Sequence, residues 1–237
     1  MTNVVQGKML TLRPAVSSGL LALLTALVLG VIIAPTTQAQ TFTNLYNFTG
    51  KADGGYPSGG LVQDAAGNFY GTTADGGASG YGTVFKLDTA GKETVVHSFT
   101  GTDGQSPDLV TLVLDSAGTL YGTTFYGGAS GYGTVFKVTK AGKETVLHSF
   151  TGTDGSYPAA GIIQDNAGNL YGTTVAGGTS GYGTVFKLSK AGKLTVLHSF
   201  TDTDGSYPMA GVVPIALGTS MALPLRAVPA VAEWYLS

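Results

Sequence analysis

The sequence contains no cysteine, which excludes disulfide bonds and cysteine-based metal sites. Charge is also scarce, because only 11% of the 237 residues are charged. Two of the twelve basic residues, Lys8 and Arg13, precede residue 40, whereas all fourteen acidic residues follow it, leaving residues 40–237 with a net charge of −4. Because a phosphate-binding surface requires a basic patch, we expect no nucleic-acid partner.

Helical periodicity is missing after residue 40, and glycine is abundant there. The chain has 37 glycines, far above the usual proportion of about 7%. They return at fixed places rather than in a collagen-like or linker-like pattern. Such spacing is typical of tight turns between short strands.

Residues 1–39 have the pattern of a secretory signal peptide. A positive start is followed by an almost unbroken apolar run from Gly19 to Ala34, and small residues precede the Ala39–Gln40 bond. We therefore predict export and cleavage near that bond. The alternative is a retained membrane anchor, for which the run is short compared with a span of about 20 residues.

A tandem repeat organises the rest of the chain. The stretch Leu61–Phe99 reads LVQDAAGNFYGTTADGGASGYGTVFKLDTAGKETVVHSF, and close copies occur at Leu112–Phe150 and Ile162–Phe200. The equivalent tyrosines 70, 121 and 171 give a period of 51 and then 50 residues. We define a repeat domain at 40–213, with a partial unit at 43–60 and a first, second and third unit at 61–111, 112–161 and 162–211.

Each unit is predicted to contain four short strands. In the first unit these are Leu61–Asp64, Phe69–Thr73, Gly82–Asp88 and Glu93–Phe99, with Gly67 at positive φ in the first turn. In the last strand, the alternation predicts that Val95, His97 and Phe99 share one face.

Four antiparallel strands in about fifty residues match the size of a β-propeller blade. The predicted fold class is therefore all-β, with propeller-like blades. Thr43–Phe48 resembles the fourth strand of a unit, so the chain enters the repeat out of phase. Closure needs at least four blades. We expect an incomplete, open propeller whose terminal units expose faces meant for neighbours.

The repeated motif NFYGTT…GG…GYGTVFK resembles the GloVer tandem repeat of secreted bacterial proteins. The resemblance covers Thr43 to about Val213, and three copies agree. A more distant resemblance is to propeller blades with an Asp-x-x-Gly-Asn-Leu-Tyr turn. The GloVer resemblance implies an exported, repeat-built protein, often with a surface anchor at its C-terminus, and implies no catalytic residue. This chain differs in having few copies and no recognisable anchor.

The tail at 214–237 departs from the repeat. If the tail is read in a shifted frame, each new codon combines the last base of one residue's codon with the first two bases of the next. The codons of Met221 and Ala222 then encode Gly, and those of Trp234 and Tyr235 encode Val, whichever synonymous codons are used. With suitable synonymous codons elsewhere, residues 218–236 become NLYGTTATGGASGCGMVFV. That text aligns with Asn169–Lys187. We therefore interpret the tail as out of frame after a base lost near Pro214. The alternative is a divergent C-terminus. Because the tail is rich in proline, we expect it to supply no second or third strand.

Histidine occurs three times, at the equivalent positions His97, His148 and His198. One hypothesis is a metal site assembled from three blades. The other is a half-buried strand residue whose ring nitrogens are satisfied. Tyr46 stands at the equivalent position of the partial unit, so the fold does not require histidine. We expect structural histidines, no metal and no cofactor.

Aromatic residues offer a candidate ligand site. Repeated tyrosines could line a carbohydrate-binding rim, although such rings more often pack between blades. The candidate rim consists of Tyr70, Tyr81, Tyr121, Tyr132, Tyr171 and Tyr182.

No Ser/His/Asp set or carboxylate pair stands apart from the repeat, so we expect no enzyme activity. The main hypothesis is an extracellular or cell-surface binding or structural module, whose partner is a glycan or a protein. One alternative is a fragment of a propeller-type carbohydrate-active hydrolase or lyase, and the other is a truncated product without function. The DNA downstream of codon 214 would distinguish them.

Export is directly testable. We expect the mature chain to begin near Gln40, because a signal peptidase reads the small residues before that bond. Mass spectrometry of protein from the producing cells measures this. A protein that keeps Met1 and sediments with the membrane would contradict the prediction.

Overall fold

The computed structural model describes residues 42–213 and Arg226–Ala227. The predicted signal peptide at 1–39 and nearly all of the predicted out-of-frame tail lie outside the described residues. Within those ranges, no helix is long and apolar enough to cross a membrane.

The fold is all-β and contains three four-stranded antiparallel sheets, one for each unit. Each sheet has its strands in chain order, as expected for a blade. The first sheet consists of β1 (Val62–Gln63), β2 (Phe69–Thr73), β3 (Thr83–Leu87) and β4 (Glu93–Ser98). The second consists of β5 (Val113–Leu114), β6 (Leu120–Thr124), β7 (Thr134–Val138) and β8 (Glu144–Ser149). The third consists of β9 (Ile163–Gln164), β10 (Leu170–Thr174), β11 (Thr184–Leu188) and β12 (Leu194–Ser199).

The turn between β1 and β2 explains why these strands begin and end where they do. One carboxylate oxygen of Asp64 accepts hydrogen bonds from the backbone N–H groups of Ala66 and Asn68, each at 2.9 Å. Gly67 has φ +85°, which confirms the predicted positive φ. A short side chain that bonds to the backbone and a glycine in the left-handed region together close the hairpin.

The predicted strand boundaries are close to the observed ones, but one prediction about side-chain direction is wrong. Val84 pairs with His97 and Phe85 pairs with Val95, which leaves one residue of β4 unpaired in a β-bulge. Because successive side chains of β3 point to opposite faces, the bulge places Val95 and His97 on opposite faces. His97 does share its face with Phe99, and their ring centroids are 4.9 Å apart.

Aromatic rings join each unit to the next. A phenylalanine in the partial unit, or just after the last strand of a full unit, meets, edge to face, a phenylalanine in the third strand of the following unit. Such pairs add about 0.5–1.5 kcal/mol beyond the apolar area that they bury. The pairs, with their centroid separations, are Phe48–Phe85 at 4.8 Å, Phe99–Phe136 at 5.1 Å and Phe150–Phe186 at 5.2 Å.

A glycine makes room for the third-strand phenylalanine ring, which we call the receiving ring because the phenylalanine of the preceding unit packs against it. Gly71 lies opposite Phe85 in the β2–β3 ladder, and a Cβ at Gly71 would lie 2.7 Å from both the Phe85 ring and the Leu61 side chain. Gly122 and Gly172 have the same relation to the rings of their units, also at 2.7 Å. A side chain at these positions would therefore displace the ring that the neighbouring unit packs against.

The array is open, as predicted. In the described part of the chain no following unit lies against the outer strand of the third unit, and Leu197 is 45% exposed. The side chain of His198 is 47% exposed, whereas that of the equivalent His148 is 20% exposed. The equivalent surface of the second unit is covered by the third.

The expectation that the tail supplies no strand is wrong at one place. The two-residue strand β13 (Val212–Val213) pairs antiparallel with β14 (Arg226–Ala227). β13 is the first strand of a fourth unit in the repeat, so β14 takes the place of the second. In the sequence, the two residues of β14 lie between Pro224 and Pro229.

The ring packing predicts unequal effects of two equivalent substitutions. Phe150→Ala should lower the free energy of unfolding by about 3–5 kcal/mol, because a fully buried ring and its partner Phe186 lose their contact. Phe200→Ala should cost clearly less, since Phe200 has no receiving ring in the described part of the chain. Urea titration monitored by circular dichroism measures both. Equal losses would contradict the role of the inter-unit ring pair.

Candidate functional site

The six tyrosines of the predicted rim fall into two structural sets. In the first set each phenol donates a hydrogen bond to the aspartate of its own β-turn, and the ring lies inside the fold. Tyr70 and Tyr171 are buried, and Tyr121 is half-buried. The bonds are Tyr70–Asp64 at 3.1 Å, Tyr121–Asp115 at 3.1 Å and Tyr171–Asp165 at 3.0 Å. These three rings pack between units and do not line an open rim.

The second set lies at the surface, in the glycine-rich loops that follow the second strand of each unit. Tyr81 and Tyr132 are exposed, and Tyr182 is half-buried. A Cβ added to Gly101 would lie 3.4 Å from the Tyr81 ring, so this ring rests on a glycine of the next loop. Gly152 has the same relation to Tyr132, at 3.5 Å. These rings are held on one side and open on the other.

One place on the loop surface collects four aromatic side chains. We call it the aromatic patch, and it consists of Phe125, Tyr126, Tyr132 and Tyr157. Phe125 and Tyr157 are stacked with an interplanar angle of 19° and a centroid separation of 5.3 Å. Tyr126 and Tyr132 meet Tyr157 edge to face at 5.5 and 5.8 Å. Tyr126 is 44% exposed, so the patch is open to solvent.

The backbone fixes Tyr157 at the centre of this patch. Its φ is +60°, a left-handed conformation that a residue other than glycine adopts at a cost of about 1–2 kcal/mol. Its N–H donates to the Tyr132 carbonyl at 2.9 Å, and its carbonyl accepts from the Val175 N–H at 3.0 Å. Tyr157 is therefore bonded to the loops of both the second and the third unit.

The aromatic patch breaks the repeat. The positions of Phe125 and Tyr126 hold Ala74 and Asp75 in the first unit, and Val and Ala in the third. Only Tyr132 belonged to the rim predicted from sequence. The other members could have been found by asking where the copies differ, instead of where they agree.

The three histidines each bond to an aspartate six residues later. The Nε2–Oδ2 distances are 3.0 Å for His97–Asp103, 2.8 Å for His148–Asp154 and 3.1 Å for His198–Asp204. Tyr46 takes the same place in the partial unit and donates to Asp53 at 3.1 Å. In the described residues the three histidines do not converge on one point.

Comparison with known proteins identifies the repeat. A sequence model described as the Gloeobacter/Verrucomicrobia repeat matches residues 25–222. The sequence has no significant match among curated proteins.

Among solved structures, the fold is similar to a gluconolactonase from Xanthomonas campestris, at 16% identity and a TM-score of 0.37. That match covers 57% of this chain and 44% of the gluconolactonase. A second match is dipeptidyl peptidase 4 from Porphyromonas gingivalis, at 18% identity and a TM-score of 0.35, covering 58% of this chain and 18% of the peptidase. The chain thus spans less than half the length of either protein.

The turn aspartate predicts acid sensitivity. Hydrogen bonds, first of all that from the Asn68 side chain, lower the pKa of Asp64 from 3.8 to about 2. The folded protein therefore binds fewer protons than the unfolded chain between about pH 4 and pH 2, and the contribution of Asp64 is lost as pH falls through that window. We expect Asp64→Asn to be less stable at pH 7 and to lose less stability on acidification. The measurement is urea titration at pH 7, 4 and 2.

The control for that experiment is Asp202→Asn, which removes an exposed carboxylate outside the β1–β2 turn. It should keep the pH dependence of the parent protein. An Asp64→Asn variant with the parent's pH profile would show that the turn carboxylate does not stabilise the fold.

Proposed function

The chain belongs to the Gloeobacter/Verrucomicrobia repeat family, and we propose that it is an exported, non-enzymatic repeat protein that binds a polysaccharide outside the cell. The predicted signal peptide supports export. The absence of arginine from the repeats and the net negative charge disfavour a phosphate-rich partner.

The aromatic patch is the observation that carries this proposal. Tyrosine rings have an apolar body and a polar tip, so they can stack on one face of a sugar ring while the phenol bonds to its hydroxyl groups. Tyr126 and Tyr132 present such rings to solvent, and the patch contains no carboxylate, amine, guanidinium or imidazole group. This chemistry fits a neutral glycan.

Rigidity also supports binding. Tyr157 is fixed by backbone hydrogen bonds to two units, and Phe125 stacks on its ring. A ring that is already held loses little conformational entropy when a ligand arrives. The aromatic patch is therefore preorganised for binding, unlike a set of independently mobile surface side chains.

The polar residues of the units support a role without catalysis. The histidine–aspartate pairs and the turn aspartates recur from unit to unit and are bonded to one another or to the backbone. No histidine or carboxylate is a member of the aromatic patch. A bound sugar would meet aromatic rings and phenolic hydroxyl groups there, and would not meet a histidine or a carboxylate, which are the commonest general acids and bases.

The repeat itself provides the test variant. Phe125→Ala, Tyr126→Asp and Tyr157→Ser together convert the patch into the equivalent surface at the first unit, where Ala74, Asp75 and Ser106 stand. If each ring contributes about 1 kcal/mol, affinity should fall by on the order of 100-fold. Binding is measured by co-sedimentation with insoluble cellulose, chitin, xylan and peptidoglycan, followed by isothermal titration with soluble oligomers of the polymer that binds.

Tyr56→Ser is the matched control. Tyr56 occupies the position equivalent to Tyr157, also with positive φ, but lies outside the patch and is 75% exposed. It should bind as the parent protein does. Equal binding by the parent and the triple variant, or binding to none of the four polymers, would overturn the proposal.

A further inference from the structure

A second departure from the repeat lies between the first and second units, away from the aromatic patch. His97 lies on β4, Asp103 lies in the loop that follows, and Glu144 begins β8 of the next unit. One ligand atom from each of these side chains lies within 4.8 Å of the other two. In the described residues this is the only group of three such side chains that converges.

Glu144 contributes a buried atom to this cluster. Its Oε1 atom is buried and has no hydrogen-bond partner among the described residues, and the same holds for the equivalent Glu93 at the preceding junction. The Glu144 carboxylate also approaches that of Asp103, because one oxygen of each is among the ligand atoms that lie within 4.8 Å of one another. A buried acceptor without a partner is costly, and two carboxylates that approach each other repel. A bound cation would remove both costs.

We propose that His97, Asp103 and Glu144 bind a divalent transition metal ion of the Zn²⁺ class. One imidazole and two carboxylates form a ligand set that zinc accepts, with a water molecule in the fourth position. Zinc ligands lie about 2.0–2.2 Å from the ion, so the carboxylate of Glu144 has to move inward by roughly an ångström when the ion binds.

The two other ligands are already in place. His97 and Asp103 are 3.0 Å apart, and the ion would replace the hydrogen bond between them. The other oxygen of Asp103 accepts from the N–H and the hydroxyl of Thr100, at 2.8 and 2.9 Å. Those bonds fix the direction of the carboxylate, as hydrogen bonds to metal ligands commonly do.

Ligand chemistry distinguishes this ion from calcium. Ca²⁺ takes six to eight oxygen ligands, whereas this cluster offers two carboxylates and a nitrogen. The side chains of His97 and Asp103 are 16% and 19% exposed, so an ion can enter from solvent. Because the ligands come from two units, the ion would cross-link the first unit to the second.

The other junctions each lack one ligand. Between the partial and first units, Tyr46 replaces the histidine beside Asp53 and Glu93. Between the second and third units, Leu194 replaces the glutamate beside His148 and Asp154. The chain thus contains two natural variants of the site, and these show that both substitutions are tolerated by the fold.

Zinc stoichiometry tests the proposal on the full chain. Isothermal titration with ZnCl₂ should give one site for the parent protein. Glu144→Leu and His97→Tyr, which copy the other two junctions, should abolish it. Leu194→Glu should create a second site beside His148 and raise the stoichiometry to two. Zinc should also raise the melting temperature of the parent protein. CaCl₂ should give no binding isotherm and no rise in melting temperature.

Circular dichroism of each variant checks that the fold is retained. A parent protein that binds no zinc at about 0.1 mM would overturn the proposal. So would unchanged binding in folded Glu144→Leu, because the ion would then lie elsewhere. Glu144→Leu and His97→Tyr could lose zinc binding because they misfold. Leu194→Glu is expected to gain a site, which misfolding would not produce, so it separates metal binding from damage to the fold.

Discussion

The packing of one unit's phenylalanine on the ring of the next unit is the contact on which this structure depends. A four-stranded sheet cannot bury its own faces, so each unit requires a neighbour. Phe99 and Phe150 supply that contact, and the glycines opposite the receiving rings leave the space for it. The repeat sequence is therefore constrained first by the contact between units.

That constraint separates the residues that must repeat from those that are free to vary. The turn aspartates, the buried tyrosines and the paired threonines recur, because each satisfies a hydrogen bond inside its unit. The loop residues Phe125 and Tyr126 are half-buried and exposed, and their side chains satisfy no such hydrogen bond inside the unit, so aromatic side chains can occupy these positions. The aromatic patch is accordingly found where the copies differ.

The residues at the junctions between units also differ from copy to copy. The backbone brings the same three positions together at each junction, but the side chains form a different set each time. Among the junctions in the described part of the chain, only that between the first and second units combines histidine, aspartate and glutamate. A repeat protein can in this way present a structural bond at one junction and a candidate metal site at the next, without any change of fold.

The sequence alone determined the unit length, the four strands of each unit, the turn with Gly67 and the open array, because these depend on local alternation and on copies that agree. It could not show the β-bulge that separates Val95 from His97, because a bulge changes the register without changing the pattern. Nor could it show which tyrosines are buried, or that Glu144 reaches His97 across a junction. Those facts arise from contacts between residues far apart in the chain, and only the tertiary structure decides which side chains such contacts bring together.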